Sequence, residues 1–264
     1  MGRIEEKFAK LKQENRKALI TFITAGDPDL DTTRRLVLEM EKKGADLIEL
    51  GIPYSDPVAE GPVIQRANER ALKNKVKIKN IMELVQSIRR DSQIPILYLL
   101  YFNSILRYNP ENFFRDCLES GIDGLIIPDL PYEERGEIEE YSVKYGIPII
   151  TLVSPTSRER IARIAKDAKG FLYLVSSLGV TGSREKFSTD FNRLTALVRE
   201  HTSIPIAIGF GISNREHVSY LKNYADGLII GSAIVKLIEE SQSPDDAVGK
   251  VGDFVSEMRK ELDK

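Results

Sequence analysis

Eight short apolar runs recur along the chain, with amphipathic stretches between them. They occupy residues 18–23 (ALITFI), 47–52 (LIELGI), 94–100 (IPILYLL), 124–127 (GLII), 148–153 (PIITLV), 171–175 (FLYLV), 204–208 (IPIAI) and 227–230 (GLII). Most are β-branched and apolar almost without a break, the pattern of strands covered on both faces. Between them, residues 31–43 carry Leu36, Val37 and Met40, and residues 81–89 place Ile81, Leu84, Val85 and Ile88 on one helical face. Phe113, Phe114, Cys117 and Leu118 share that period. Strands needing cover on both sides and helices with one apolar face complement each other in α/β architectures.

The junctions obey a common grammar. Lys43-Gly44-Ala45-Asp46, Ser120-Gly121-Ile122-Asp123 and Tyr145-Gly146-Ile147-Pro148 each put glycine where a helix ends, free to take positive φ, with the next strand following at once. Ser213 and Thr156, each with glutamate three residues on, have the capping-box arrangement of helix starts. Eight strand–helix units in 264 residues give 33 per unit, which predicts one (β/α)8 TIM barrel domain over residues 1–264. Residues 1–15 add a helix before the first strand. The rival, a doubly wound open sheet, expects a glycine fingerprint after strand one, where this chain has Thr24-Ala25-Gly26-Asp27-Pro28. Long links after strands two and six break the rhythm, and in a barrel both are candidate walls or lids of a site.

Composition narrows the function classes. With 38 Lys+Arg against 40 Asp+Glu, the net charge of −2 leaves no broad electrostatic footprint for nucleic acid. A single cysteine precludes an internal disulfide framework. Residues 1–15 lack the apolar core of a signal peptide, and the longest apolar run is interrupted by Pro95. These features lead us to expect a cytoplasmic protein. His201 and His217 have no histidine partner at ligand spacing, so no metal site is expected. No Gly-x-Ser-x-Gly elbow is present, and no strand core contains a lysine for Schiff-base chemistry.

Two features carry chemistry. The first is a pair of glycine-containing turns, Ile208-Gly209-Phe210-Gly211-Ile212-Ser213 and Ile230-Gly231-Ser232-Ala233, leaving strands seven and eight and entering helices. Small residues and helix N–H groups there suit a phosphate held by Gly211, Ile212, Gly231 and Ser232, with Gly182 and Ser183 closing over it. No lysine or arginine is obviously dedicated to this end. The second is Glu49, inside the apolar run 47–52. A carboxylate on a buried strand costs several kcal/mol unless it is paired or used. It is either a structural partner for an arginine or a tyrosine, an outward-facing strand residue, or a catalytic acid facing the barrel mouth. Asp56 and Glu60 follow on the next loop, and two carboxylates in different environments can divide acid and base roles. Tyr173 offers either a cavity hydroxyl or a core ring. Phe22, Leu100, Phe102, Leu125 and Phe210 form either an apolar substrate wall or ordinary core.

Phe22-Ile-Thr-Ala-Gly-Asp-Pro28, Glu49-Leu-Gly-Ile-Pro-Tyr-Ser-Asp-Pro57, Gly61-Pro-Val-Ile-Gln65, Gly179-Val-Thr-Gly182, Gly209-Phe-Gly-Ile-Ser213 and Gly231-Ser-Ala-Ile-Val235 together resemble the tryptophan synthase alpha chain family over essentially the full length. The resemblance implies a lyase that cleaves 1-C-(indol-3-yl)glycerol 3-phosphate to indole and glyceraldehyde 3-phosphate. Glu49 then matches the catalytic glutamate and Thr181 the lid residue. Glu60 stands where the family pattern has aspartate, one methylene shorter, and Asn103-Ser104 stands where Asn-Pro is frequent. The family association further implies a pyridoxal-phosphate beta chain as partner in an assembly of two alpha and two beta chains. The loop with Pro53 and Asp56 would contact it, and no cofactor would sit in this chain. Two other readings share the phosphate end: another phosphate-handling barrel enzyme, such as an isomerase or a prenyltransferase, and a non-catalytic regulator of a beta chain.

Overall fold

The apolar runs form strands of one parallel sheet, and the amphipathic stretches wrap it. The computed structural model describes residues 2–154, 158–175, 190–209 and 211–264. In chain order, α1 (Arg3–Gln13) precedes β1 (Ala18–Thr24), α2 (Leu30–Lys42), β2 (Leu47–Gly51), α3 (Pro62–Lys73), α4 (Ile78–Ile88), β3 (Ile96–Leu99), α5 (Phe102–Tyr108), α6 (Pro110–Ser120) and β4 (Gly124–Ile126). A 3-10 turn (Tyr132–Glu137) leads to α7 (Glu139–Tyr145), β5 (Thr151–Val153), α8 (Arg158–Lys166), β6 (Leu172–Val175), α9 (Phe191–Arg199) and β7 (Ile206–Gly209). The chain then continues through α10 (Arg215–Leu221), β8 (Gly227–Ile230), α11 (Ser232–Glu239) and α12 (Pro244–Leu262).

The strand order β4-β3-β2-β1-β8-β7-β6-β5 brings the two sheet edges together. There Leu125 bridges Ile149, with Leu125 N donating to Pro148 O at 2.9 Å and Ile150 N donating to Leu125 O at 2.8 Å. The expected (β/α)8 barrel is thus nearly closed, which leaves few unpaired strand edges.

Strand alternation divides the core into two layers. Ala18, Ile20, Leu47, Leu97, Ile126, Ile150, Phe171, Ala207 and Ile229 pack inside the barrel, whereas Leu19, Ile48, Leu50, Ile96, Tyr98 and Leu228 pack outward beneath the helices. The barrel floor is closed by α1, whose Ile4, Phe8 and Leu11 join the inner cluster; the Phe8 and Phe171 rings lie 5.6 Å apart. Each such burial contributes roughly 1.5–3 kcal/mol, enough to hold a helix of 11 residues that would be marginal alone.

Local expectations hold at Gly121 and Gly146, which cap α6 and α7 at φ +87° and +66°. One differs: α10 is capped by Asn214, whose side chain accepts from His217 N at 2.9 Å, not by Ser213. Asparagine one residue later bonds the third helical N–H equally well. The long link after β2 folds mostly into α3 and α4, so its longest loop is the opening stretch, residues 52–61. Thr156, Phe210, Thr181, Gly182 and Ser183 lie outside the described residues, as does the link after β6. No helix among the described residues is long and apolar enough to cross a membrane.

Candidate active site at the strand C-termini

Glu49 faces inward on β2 as its last inward side chain before Gly51, opposite Phe22 of β1 and Leu97 of β3. It is 1% exposed, and its Oε1 has no hydrogen-bond partner among the described residues. No cation among those residues is paired with it. Burial alone pushes its carboxyl up to about 8, because the low dielectric penalises the charged form. Burial, and after it the Glu49 carboxylate, push the Tyr173 phenol well above its usual range, and both side chains line the same cavity.

Glu60 is held differently. Gly61 and Pro62 start α3 immediately after it, and Asn68, two turns along that helix, donates through Nδ2 to Glu60 Oε2 at 2.6 Å. Gln65 Nε2 donates to the Glu60 carbonyl at 2.8 Å. The carboxyl is 7% exposed; burial raises it to about 7, and the Asn68 hydrogen bond pulls the other way by favouring the ionised form. The preceding residue is anchored too: Ala59 N donates to the Tyr101 hydroxyl at 3.0 Å, and the Tyr101 ring stacks on Tyr54 at 4.9 Å. Asp56, by contrast, is exposed on the outer part of the loop and does not line the cavity.

These groups share one cavity of about 340 Å³. Glu49, Glu60 and Tyr173 line one part of it, and Phe22, Ile64, Leu99, Ile126, Leu152 and Ile229 form apolar walls. Gly211, Ile212, Ser213, Gly231, Ser232 and Ala233 line the end where β7 and β8 run out. Two glycines are required by close approach. A Cβ at Gly51 would come within 2.7 Å of the Phe22 ring, and one at Gly209 would collide with the Tyr173 hydroxyl.

Of the predicted substrate wall, Phe22 and Tyr173 line the cavity, but Leu100, Leu125 and Phe102 do not. Leu100 and Leu125 are fully buried in the outer layer, and Phe102, at the start of α5, packs against that same layer. The physical reason is the two-residue period of a strand: the inward neighbours Leu99 and Ile126 take the wall positions. Tyr101, Asn68 and Lys236, the last a cation on the cavity lining, were not anticipated from sequence. Among the described residues, no three His, Cys, Asp or Glu side chains are grouped to hold a metal.

A nearly closed parallel barrel with its cavity at the strand C-termini matches the architecture of the (β/α)8-barrel enzymes. The family profile described as "Tryptophan synthase alpha chain" matches residues 8–263. Relatives of that name from Clostridium kluyveri (51% identical, covering 100% of both chains) and Caldanaerobacter subterraneus subsp. tengcongensis (52%, covering 99% and 100%) agree over the full length. Tryptophan synthase subunit alpha from Legionella pneumophila superposes with a TM-score of 0.89 at 36% identity, covering 100% and 99% of the chains. A Mycobacterium tuberculosis tryptophan synthase chain does so with 0.90 at 32%, covering 99% and 98%. The chain belongs to the tryptophan synthase alpha chain family. It is an enzyme subunit, a lyase that cleaves indole-glycerol phosphate in tryptophan synthesis alongside a beta partner.

Proposed function

We propose that Glu49 and Glu60 divide the acid–base work of cleaving 1-C-(indol-3-yl)glycerol 3-phosphate. The observation that carries this is the contrast between the two carboxyls: one is buried without a hydrogen-bond partner at Oε1 among the described residues and raised to about 8, the other is hydrogen-bonded to Asn68 and near 7. At neutral pH Glu49 is mostly protonated and gives its proton to indole C3. Glu60, about half ionised, accepts the hydrogen bond of the indole N–H and stabilises the positive charge that develops on the ring. The Glu49 carboxylate so formed takes the proton of the glycerol hydroxyl next to the ring. The C–C bond then breaks, its electron pair restores the indole ring, and the hydroxyl carbon becomes the aldehyde of glyceraldehyde 3-phosphate.

Phe22, Leu99, Ile126, Leu152 and Tyr173 enclose the ring. Gly211, Ile212, Gly231 and Ser232 receive the phosphate, with Gly182 and Ser183 completing that end and Thr181 acting in the lid. The reading asks no cofactor of this chain and leaves pyridoxal phosphate to the beta chain. We assign residues 1–264 to one domain, supported by the single sheet and the family match over 8–263. The loop with Pro53 and Asp56, whose Val58 is 70% exposed, supports docking to beta in an assembly of two alpha and two beta chains. A cytoplasmic location accords with the free, buried Cys117.

Replacing Glu49 with glutamine tests the central assignment. Indole release is expected to vanish while glyceraldehyde 3-phosphate still binds; substantial cleavage by the variant would remove Glu49 from the mechanism.

A further inference from the structure

A phosphate monoester carries close to two negative charges at neutral pH. The cavity that receives it already contains Glu49, Glu60 and Glu240, and Lys236 is the one cation among the described residues lining it. Lys236 stands four residues after Ser232 on α11, about 6 Å along the helix axis. A helical Cα–Cβ bond leans toward the helix N-terminus, so the side chain at 236 sets out toward the turn formed by Gly231, Ser232 and Ala233. Its four-carbon stem spans that distance. Instead, Nζ lies 3.6 Å from Glu240, one turn the other way, in a pair whose side chains are 60% and 58% exposed. Exposed i,i+4 pairs of this kind are weak and exchange readily for a better partner.

We infer that Lys236 is the cation that draws the substrate's phosphoryl group to the α11 turn, exchanging Glu240 for the phosphate oxygens, while Glu240 competes with the ligand for the same ammonium. The inference rests on the reading that this end of the cavity takes the phosphate. Backbone N–H groups and the Ser232 hydroxyl give directional contacts, and Lys236 adds the monopole that they lack. A charged recruiter of this sort acts partly at long range, so its contribution is screened by salt.

Calorimetric titration of glyceraldehyde 3-phosphate and of inorganic phosphate, at low and at physiological ionic strength, tests it. Lys236→Met keeps the apolar stem and removes the charge; affinity for both ligands should fall about fivefold at low salt, equivalent to about 1 kcal/mol, and lose most of its salt dependence. Lys236→Arg should recover it, and Glu240→Gln should tighten binding about twofold. Thermal melts confirm that each variant is folded. Wild-type affinity and salt dependence in Lys236→Met would overturn the role of Lys236 while leaving the phosphate reading intact. Failure of the wild-type chain to bind either ligand would overturn the phosphate reading itself, and the inference with it.

Discussion

The Glu49→Gln variant makes a prediction about stability that is separate from its loss of activity. Glu49 moves from an ordinary 4.5 to about 8 on burial, a change of roughly 3.5 units at about 1.4 kcal/mol each. Below about pH 4.5 both folded and unfolded chains hold this proton, and no penalty exists. Between 4.5 and 8 the unfolded chain has released it while the folded chain retains it, so stability falls as pH rises; above 8 the penalty is fully developed. Glutamine cannot ionise and escapes the effect. Its buried amide brings a fixed cost of about 1–3 kcal/mol for unpaired N–H donors, but that cost does not vary with pH. The informative quantity is therefore the change with pH of the stability difference between variant and wild type. Urea denaturation at mildly acid and mildly alkaline pH should show that difference shifting in favour of the variant by about 4 kcal/mol between pH 5 and 8.5. Every other titrating group is common to both proteins and cancels. A difference independent of pH would refute the claim that folding holds this carboxyl protonated, and with it the source of the proton for C3.

Three further outcomes follow from the same geometry. Asn68→Ala removes the hydrogen bond that favours ionised Glu60, so the limb of the kcat/KM profile reporting Glu60 should move from about 7 toward alkaline pH by about one unit; an unmoved limb would show that Asn68 does not tune this acid. Arg70 clamps the 1%-exposed Asp27 through two 2.8 Å bonds and also reaches Glu239 on α11. Arg70→Ala should cost about 3 kcal/mol in melts at neutral pH and less in mild acid, where Asp27, raised by burial, takes up a proton. Leu99→Ala should raise KM for the indole substrate with a small loss of stability, whereas Leu100→Ala should cost about 2–5 kcal/mol of stability and leave KM near wild type.

That last pair marks where the sequence stops being legible. The barrel was readable because eight runs at regular spacing, with glycine at helix ends, leave few other arrangements that cover both faces of each strand. Glu49 was readable for the opposite reason: it is the one charge in such a run. Asn68, Tyr101 and Lys236 were not, because on their own helices and loop they look like ordinary polar or apolar positions. Only the tertiary placement of α3, α11 and the loop after β3 brings Asn68 to Glu60, Tyr101 to Ala59 and Lys236 to the cavity lining.

Leu100 and Leu125 each miss the wall by one position, and the reason is general to strands buried on both sides. Without polar residues on one face, nothing along β3 or β4 says which side chains point inward, and a phase error of one moves the whole set to the other layer. The phase is nevertheless present in the molecule at a single point. Glu49 must face the mouth to do acid chemistry, and it sits opposite Leu97, which sits opposite Gly124. Stepping two residues along each strand from these partners reaches Leu99 and Ile126, the positions that line the cavity. The phase of β2 thus fixes that of β3 and β4, but only through cross-strand register, which the linear sequence does not state. A register one residue different would have put Leu100 and Leu125 in the wall, so the paired Leu99 and Leu100 variants test the register as much as the site.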